Sequence, residues 1–289
     1  MIKKIKKIPF FLIKILPRRI WHFLFGKDFN DRISIGFESS FDFKNFKNVV
    51  KKGVLETHPV HRYFLPRIAK NILHPIQNKI IFCDIGCNRG VFSKRILEYL
   101  PDIEIIGFEP QLSNHKYLDR LSNNKNFSYR KVGLGDKIEK RLFSEYGNDG
   151  LSSFAELDEN YSYGSHLLGQ NKVKEYHASI STLDHEFLDS VKKLFLKIDV
   201  QGYELNVLKG SQKLFEKGQV NGIIIELMTI QKYNTGGSTN WKNLLDYLDK
   251  KGFILSDFIS GYREPSGIMT EFDALFLNKS FFKELNGQN

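Results

Sequence analysis

The segment from Ile80 to Phe92 constrains the fold of this chain more than any other. It begins as an apolar run, reaches an acidic residue at Asp84, and passes through the loop Gly86-Cys87-Asn88-Arg89-Gly90 into a segment that predicts a helix. A buried strand, a glycine loop and a helix form the unit with which α/β sheets bind nucleotide-like cofactors. The loop glycines, which carry no side chain, would let the backbone approach a ligand closely. The sequence therefore predicts a cofactor site at the end of the first strand.

A second acidic residue, Glu109, ends the next apolar run about 20 positions after Gly90, the spacing that puts a carboxylate on a ribose edge. The loop reads G-x-x-x-G and lacks the G-x-G-x-x-G that seats a pyrophosphate. An acid before the first glycine would repel a phosphate, but it can help to hold an ammonium group, directly or through water. S-adenosylmethionine carries such an ammonium, so the pattern favours this cofactor over NAD.

From Lys79 onward, apolar runs alternate with amphipathic segments, which predicts a mainly parallel sheet with helices on both faces. The predicted sheet strands are residues 80–84, 104–109, 127–132, 194–199, 222–227, 253–258 and 272–277. The pattern predicts helices after most strands, including one over 203–216. A less regular insert over about 140–179 carries two further predicted strands, 141–146 and 174–179.

Five acidic residues fall at or just past predicted strand ends: Asp84, Glu109, Asp136, Asp199 and Glu226. Ligands of open α/β sheets bind outside the carboxyl ends of the strands. We therefore expect these side chains to converge on one edge of the sheet.

Six short blocks, in this order along the chain, resemble the FkbM family of S-adenosylmethionine-dependent methyltransferases. The blocks are Asp84-Ile85-Gly86-Cys87-Asn88-Arg89-Gly90, Gly107-Phe108-Glu109-Pro110, Gly133-Leu134-Gly135-Asp136, Leu151-Ser152-Ser153-Phe154, Ser181-Thr182-Leu183-Asp184 and Leu196-Lys197-Ile198-Asp199-Val200-Gln201-Gly202-Tyr203-Glu204. The resemblance implies a Rossmann-like class I methyltransferase fold. Two positions depart from the family pattern, since Cys87 stands where alanine is usual and Gln111 where a second proline is frequent.

The resemblance and the strand-end positions together predict the cofactor-binding residues. Asp84 and the loop residues Gly86, Asn88 and Gly90 should hold the methionine part of S-adenosylmethionine, and Glu109 should accept hydrogen bonds from the ribose hydroxyls. Asp136, after the bend at Gly135, is placed to bind the adenine amine. An ordinary turn aspartate is the alternative for Asp136, because Gly-Asp is common turn chemistry.

Methyl transfer from a sulfonium is an in-line displacement, so the enzyme mainly positions the nucleophile and removes its proton. Asp199 and Glu226 end two central strands, and Glu204 begins the following helix; all three are candidate catalytic residues, one of which would act as the general base. Lys197 lies two positions before Asp199 and shares its face of the strand, so a plain ion pair is the alternative.

The insert carries the candidate residues for binding the acceptor, Ser152, Ser153 and His166, beside Tyr161 and Tyr163. An exposed polar loop is the alternative for this stretch. No metal site is predicted, because the chain has only two cysteines, Cys83 and Cys87, and no second Cys/His pair with suitable spacing. Buried thiols in a reducing cytosol are the expected state of both.

The net charge of +10 is concentrated at the N-terminus. Seven lysines and arginines lie within the first 19 residues, which leaves only +3 for the rest and argues against a nucleic-acid groove through the catalytic region. These cations are interleaved with aliphatic and aromatic residues, but no uncharged run approaches the ~20 residues of a membrane-spanning helix. Peripheral contact of residues 1–25 with an anionic membrane is predicted. A tail packed on the domain and a cleaved targeting segment are the alternatives.

We expect four regions: a basic, apolar N-terminal segment at 1–28, a helical lead-in at 29–79 with a helix over about 61–73, a methyltransferase domain at 80–280, and a tail at 281–289. The predicted function is O-methylation of a sugar hydroxyl on a cell-surface glycan or related metabolite. We expect a cytoplasmic enzyme, peripheral on the inner face of the membrane, with a small-molecule or glycan acceptor and no nucleic-acid partner. The alternatives are an RNA or protein N-methyltransferase and a cofactor-binding membrane adaptor without turnover.

Overall fold

The computed structural model describes residues 65–158, 171–235, 240–261 and 268–287, all within one compact unit, Glu56–Asn289. The N-terminal segment, most of the predicted lead-in and His166 lie outside the described residues. The predicted lead-in helix is described only from helix α1 (Leu65–Ile68), which continues as a π-helical turn, Ala69–Leu73, and a 3-10 turn, His74–Lys79. The four-region division therefore stays a prediction. None of the helices in the described ranges is long and apolar enough to cross a membrane.

A seven-stranded sheet forms the centre of this unit, in the order β3-β2-β1-β7-β8-β10-β9. The strands of the described ranges are β1 (Ile80–Ile85), β2 (Glu104–Phe108), β3 (Phe127–Arg130), β4 (Gly133–Leu134), β5 (Glu139–Tyr146), β6 (Lys172–Ser181), β7 (Lys193–Ile198), β8 (Val220–Met228), β9 (Phe253–Ser260) and β10 (Glu271–Asn278). Strand β10 runs antiparallel to β8 and β9, and the other neighbouring pairs are parallel. This confirms the predicted mainly parallel, Rossmann-like sheet.

Both faces of the sheet are buried, which explains why its strands read as continuous apolar runs. In β1, Ile81, Cys83 and Ile85 point into one hydrophobic core, whereas Ile80 and Phe82 point into the other. Helices cover both cores: α4 (Leu183–Phe187), α5 (Glu204–Lys209) and α7 (Trp241–Lys250) the first, and α2 (Val91–Tyr99), α3 (His115–Leu121) and α8 (Lys279–Leu285) the second. Cys83 and Cys87 are buried free thiols, as predicted.

The predicted insert forms a small second sheet, in the order β4-β6-β5. Its two long strands, β5 and β6, pair antiparallel, and the short strand β4 pairs parallel to β6. The sheet therefore begins before the predicted insert, at Gly133, where a side chain would meet the ring of Phe154 at 2.3 Å.

The helix predicted over 203–216 is interrupted at Gly210, which separates α5 from α6 (Gln212–Glu216). A Cβ at Gly210 would lie 1.9 Å from the carbonyl oxygen of Gly135, so the helix packs directly against backbone there. Glycine also has low helix propensity, which favours an interruption at this position. The predicted strands begin and end within about two residues of the observed bounds, whereas helices α4 and α8 were not predicted.

Candidate active site

A cavity opens at the carboxyl ends of β1, β2 and β7 and is closed on one side by the small sheet. Five residues predicted for the site line it: Gly86, Asn88, Glu109, Ser152 and Asp199. Its apolar lining includes Ile85, Phe108, Leu134, Phe143 and Phe154. Asp84, Asp136, Glu204 and Glu226 do not line this cavity.

The glycine loop is required by packing within the protein. Gly86 has a φ of +76°, and a Cβ there would lie 1.9 Å from the carbonyl oxygen of Asp199. Gly90 has a φ of +73°, and a Cβ there would meet Leu121 of α3 at 2.7 Å. The expected reason for these glycines was the approach of a ligand. The structure adds a different one, because β7 and α3 already occupy the space.

Asp84 lies fully buried beneath this loop. Its Oδ2 accepts a hydrogen bond of 2.6 Å from the Ser93 hydroxyl, and its Oδ1 lies 3.6 Å from Nζ of Lys197. Burial raises the pKa of Asp84, although Lys197 and Ser93 act in the opposite direction. Direct contact of Asp84 with a ligand in the cavity is not supported by this placement, and its cofactor role stays a prediction.

Glu109 stands on the cavity wall at the end of β2. Its Oε2 accepts a 2.6 Å hydrogen bond from the backbone N–H of Asn88, and its Oε1 accepts one of 2.8 Å from the backbone N–H of Gln111. Burial raises the pKa of Glu109 to about 7, while both backbone donors act to lower it. The carboxylate thus joins the glycine loop to the end of β2.

Asp136 and Gly135 are placed away from the cavity. Asp136 is exposed, and its Oδ1 accepts a long hydrogen bond of 3.4 Å from the Asn206 side chain. Gly135 is buried against Ile180 and Tyr203. The structure does not bring either residue to the lining, so cofactor binding by Gly135 and contact of Asp136 with the adenine amine remain predictions without geometric support.

Asp199 follows β7 and faces the cavity with 32% of its side chain exposed. Its Oδ2 accepts a 3.0 Å hydrogen bond from Nζ of Lys197, and its Oδ1 accepts one of 2.8 Å from Nε2 of Gln201. Burial alone would lower the pKa of Lys197, but the charges of Asp199 and Asp84 outweigh it and raise that pKa. The ion pair considered as the alternative role of Lys197 is therefore present, and it holds Asp199 at the cavity.

Glu226 lies behind Asp199 on β8, and its Oε2 accepts a 2.9 Å hydrogen bond from the same Gln201 amide. Burial and the charges of Glu271 and Asp199 raise its pKa well above the usual range, and Lys232 only partly offsets them. Burial, with the charge of Asp199, does the same to the pKa of Asp273 on β10. Carboxyls this close cannot all ionise cheaply, so the cluster is suited to retaining protons.

Glu204 is buried beneath the turn at 200–203. Its Oε1 accepts hydrogen bonds from the backbone N–H groups of Val200 at 3.3 Å and Gly202 at 3.1 Å. Burial raises its pKa to about 7, and the backbone donors act to lower it. This geometry suits a residue that holds the turn, and it gives no support to the predicted catalytic role of Glu204.

The two serines of the insert have different positions. Ser152 lines the cavity, and its Oγ accepts a 3.2 Å hydrogen bond from the backbone N–H of Tyr146. Ser153 is buried, and its hydroxyl donates to the carbonyl of Val200 at 3.3 Å, which links the insert to the turn after β7. Only Ser152 is therefore placed to meet an acceptor.

Sequence reasoning missed Gln201 and Tyr233. Gln201 lines the cavity with a φ of +53°, a left-handed conformation that costs a non-glycine residue about 1–2 kcal/mol. Its position after a strand and before Gly202 was a usable signal. Tyr233 is fully buried, and its hydroxyl lies 3.0 Å from Oε1 of Gln201. It gave no local signal, because the contact joins residues 32 positions apart.

The residues present fit S-adenosylmethionine. Each carboxylate oxygen of Glu109 accepts one backbone N–H, which leaves lone pairs for ribose hydroxyls. Hydrogen bonds from the ribose hydroxyls would stabilise the ionised form of this carboxyl, whose pKa is raised by burial. Phe108, Leu134 and Phe143 offer apolar surface to a purine ring. The loop at Gly86 and Asn88 would face the methionine part.

Comparison with known proteins shows the family of this chain. The sequence matches the FkbM methyltransferase domain over residues 84–255, more than half of the chain. No curated protein matches it significantly.

Similar solved structures include a precorrin-6y C5,15-methyltransferase from Geobacter metallireducens, with 9% identity, a TM-score of 0.38 and coverage of 75% of this chain and 89% of that one. A putative RNA methyltransferase from Pyrococcus horikoshii has 10% identity, a TM-score of 0.37 and coverage of 78% and 88%. A Burkholderia thailandensis 1,6-didemethyltoxoflavin-N1-methyltransferase with bound S-adenosylhomocysteine has 9% identity, a TM-score of 0.38 and coverage of 81% and 89%. The family match, with the sheet order and the cavity at its edge, identifies the chain as a member of the FkbM methyltransferase family whose cofactor is S-adenosylmethionine.

Proposed function

We propose that this enzyme O-methylates a sugar hydroxyl of a cell-surface glycan or related metabolite, with Asp199 as the general base. The observation that carries the proposal is the position of Asp199, whose carboxylate faces the cavity while Lys197 and Gln201 each hold one of its oxygens. A hydroxyl is a poor nucleophile, so its attack on the sulfonium methyl benefits from a base that takes the proton.

The pairing of Asp199 with Lys197 supports this role, because the ammonium favours the ionised carboxylate that a base must supply. Burial raises the pKa of Glu226 and favours its protonated form, so Glu226 is less available than Asp199 to take a proton, and its proposed role is to orient the acceptor. Ser152 lines the same cavity as Asp199, so it is the predicted acceptor-binding residue that is placed to meet the acceptor.

The glycan acceptor rests on the family resemblance and on the basic N-terminal segment. A cytoplasmic enzyme attached to the inner face of the membrane through residues 1–25 would meet a lipid-linked glycan precursor where it is assembled. Mass spectrometry of surface glycans from strains with and without the gene tests this directly. Loss of one methyl group from a defined sugar is the expected result, and identical glycans in both strains would contradict the proposed acceptor.

Replacement of the base tests the chemistry. Asp199→Asn keeps the shape of the side chain but cannot take a proton, so cofactor binding should persist while turnover falls about 10²–10⁴-fold. The readout is restoration of glycan methylation in the deletion strain, with calorimetry for cofactor binding. The exposed Asp249→Asn, on α7, is the matched control and should restore methylation fully. Normal methylation with Asp199→Asn would exclude Asp199 as the base.

A further inference from the structure

The Gln201 side chain connects the two candidate catalytic carboxyls. Its Nε2 donates to Oδ1 of Asp199 at 2.8 Å and to Oε2 of Glu226 at 2.9 Å. Two carboxyl acceptors on one side require the NH₂ end of the amide there, and the carbonyl end then faces the Tyr233 hydroxyl at 3.0 Å. The partners themselves therefore fix the orientation of the amide.

The backbone at Gln201 is unusual for a residue with a side chain. Its φ of +53° lies in the left-handed region, and the next residue, Gly202, has a φ of +92°. Glycine would adopt the conformation at 201 freely, so the side chain is present there in spite of strain. Such outliers cluster at functional sites, where the rest of the structure holds them in place.

Tyr233 holds this turn from the other side. A Cβ at Gly202 would meet the Tyr233 ring at 2.8 Å, so the ring packs directly against the turn. The hydroxyl also lies 3.1 Å from the carbonyl oxygen of Leu151, beside the cavity residue Ser152. Tyr233 thus connects the insert to the Gln201 amide.

We propose that Gln201 is a positioning residue that keeps Asp199 ionised and directed at the cavity, and that Tyr233 fixes the orientation of the Gln201 amide. This inference rests on the proposed role of Asp199 as the base. A hydrogen bond from the neutral amide favours the charged form of the carboxylate it reaches. Lys197 donates to Oδ2 and Gln201 donates to Oδ1, so loss of the Gln201 amide would remove a hydrogen bond that orients the carboxylate toward the cavity.

The charges around Asp199 explain why the hydrogen bond from the Gln201 amide matters for the ionisation of Asp199. The ionisable groups that interact with the charge of Asp199 come from five elements: Asp84 of β1, Lys197 of β7, Glu204 of α5, Glu226 of β8 and Asp273 of β10. One of these is a cation and the others are acids. The acids disfavour the ionised state of Asp199 and Lys197 favours it, and the Gln201 amide is a further donor that favours it.

Carboxyl titration tests the inference on the protein alone. In protein labelled with ¹³C at the aspartate carboxyls, the Asp199 signal is the one absent from Asp199→Asn. In Gln201→Met, which keeps the length but removes the donor, the Asp199 midpoint should move to higher pH by roughly one unit, the size expected for one lost hydrogen bond to a charged group. Tyr233→Phe should move it in the same direction by less. Gln212→Met removes an amide that donates to Glu216 on the surface of α6, and it is the matched control that should leave the midpoint unchanged.

Glycan methylation in the deletion strain adds the functional readout. Gln201→Met and Tyr233→Phe should reduce methylation in that order while binding S-adenosylmethionine like the parent, and Gln212→Met should restore it fully. An unchanged Asp199 midpoint in both Gln201→Met and Tyr233→Phe would overturn the inference. A shifted midpoint with glycans identical in strains with and without the gene would instead leave the inference standing and contradict the proposed acceptor. A shifted midpoint with full methylation by Asp199→Asn would show that Asp199 is not the base. Gln201 would then orient Asp199 without a role in catalysis.

Discussion

At the scale of single residues, Asp84 and Asp199 both lie at the end of a parallel strand, but only Asp199 is exposed to the cavity. Both lie at the ends of neighbouring parallel strands, and both contact the ammonium of Lys197, at 3.6 Å and 3.0 Å. Asp84 is fully buried behind the glycine loop, whereas 32% of the Asp199 side chain is exposed. A strand-end acid can therefore either support the loop from beneath or face the ligand. The sequence predicts the strand end but cannot distinguish these two outcomes.

Replacement of Glu109 tests the cofactor site. Glu109→Ala should weaken S-adenosylmethionine binding by about 1–3 kcal/mol, because the ribose hydroxyls and the Asn88 and Gln111 N–H groups lose their acceptor. Calorimetry measures this, and NAD should give no binding heat with the parent protein. Glu98→Ala, on the surface of α2, is the matched control and should bind like the parent. If Glu109→Ala binds S-adenosylmethionine with the affinity of the parent, Glu109 does not contact the ribose.

The burial of Glu204 should make stability depend on pH. The pKa of Glu204 rises from 4.5 to about 7 on folding. Its contribution to the free energy of unfolding is therefore fully present below pH 4.5 and is lost as the pH rises through about 7. Over that window the loss amounts to about 3 kcal/mol at most. Glu204→Gln has no such titration, so its free energy of unfolding should fall less steeply with pH than that of the parent.

Urea denaturation at several pH values measures the difference between the two proteins. Glu216→Gln, an exposed change on α6, is the control that should follow the parental curve. Parallel curves for Glu204→Gln and the parent would show that Glu204 does not carry this penalty.

At the scale of elements, strands were predicted more accurately than helices. Strand β1 is buried at every position, so its apolar run predicts it within one residue. The segment 203–216 reads as one helix because its apolar spacing continues through Gly210. The interruption there depends on the backbone of Gly135, which is distant in sequence and gives no periodic signal. The contacts that limit α5 and α6 are therefore tertiary.

Gly210 offers a test of that explanation. An alanine in a helix usually stabilises relative to glycine, and Gly210 has an ordinary φ of −76°, so backbone strain plays no part. Gly210→Ala should nevertheless destabilise the protein by about 1–3 kcal/mol or more, because the new Cβ would lie 1.9 Å from the Gly135 carbonyl oxygen. Urea denaturation measures the change.

Gly150→Ala is the comparison for Gly210→Ala. A Cβ at Gly150 would meet only Asn148 Oδ1, at 3.3 Å, so its effect should be small. Equal stability of Gly210→Ala and the parent would mean that α5 can move away from Gly135 without cost.

At the scale of the whole molecule, the mainly parallel sheet and the edge that carries the cavity could be predicted, and the contacts across that edge could not. Alternating strands and helices predict a parallel sheet, whose carboxyl ends bring Asp199 and Glu109 to one cavity. The contact of Tyr233 with Gln201 depends on how the turn after β7 packs against a later loop. No periodicity or motif encodes such packing.

Charge is likewise a property of the whole chain, and most of the net +10 lies within the first 19 residues.

This distribution of charge leads to a prediction for membrane binding. Removal of residues 1–25 should abolish sedimentation of the protein with vesicles of anionic lipid, because each of the seven cations removed contributes about 1 kcal/mol near such a surface. Binding of S-adenosylmethionine should persist, since the cavity residues all come from 85–201. High salt should release the full chain, and vesicles of neutral lipid should not bind it, because screening and loss of surface charge remove the same attraction. Undiminished sedimentation of the truncated protein would place the membrane-binding surface on the methyltransferase domain, and no sedimentation of the full chain would leave the N-terminal segment without a membrane role.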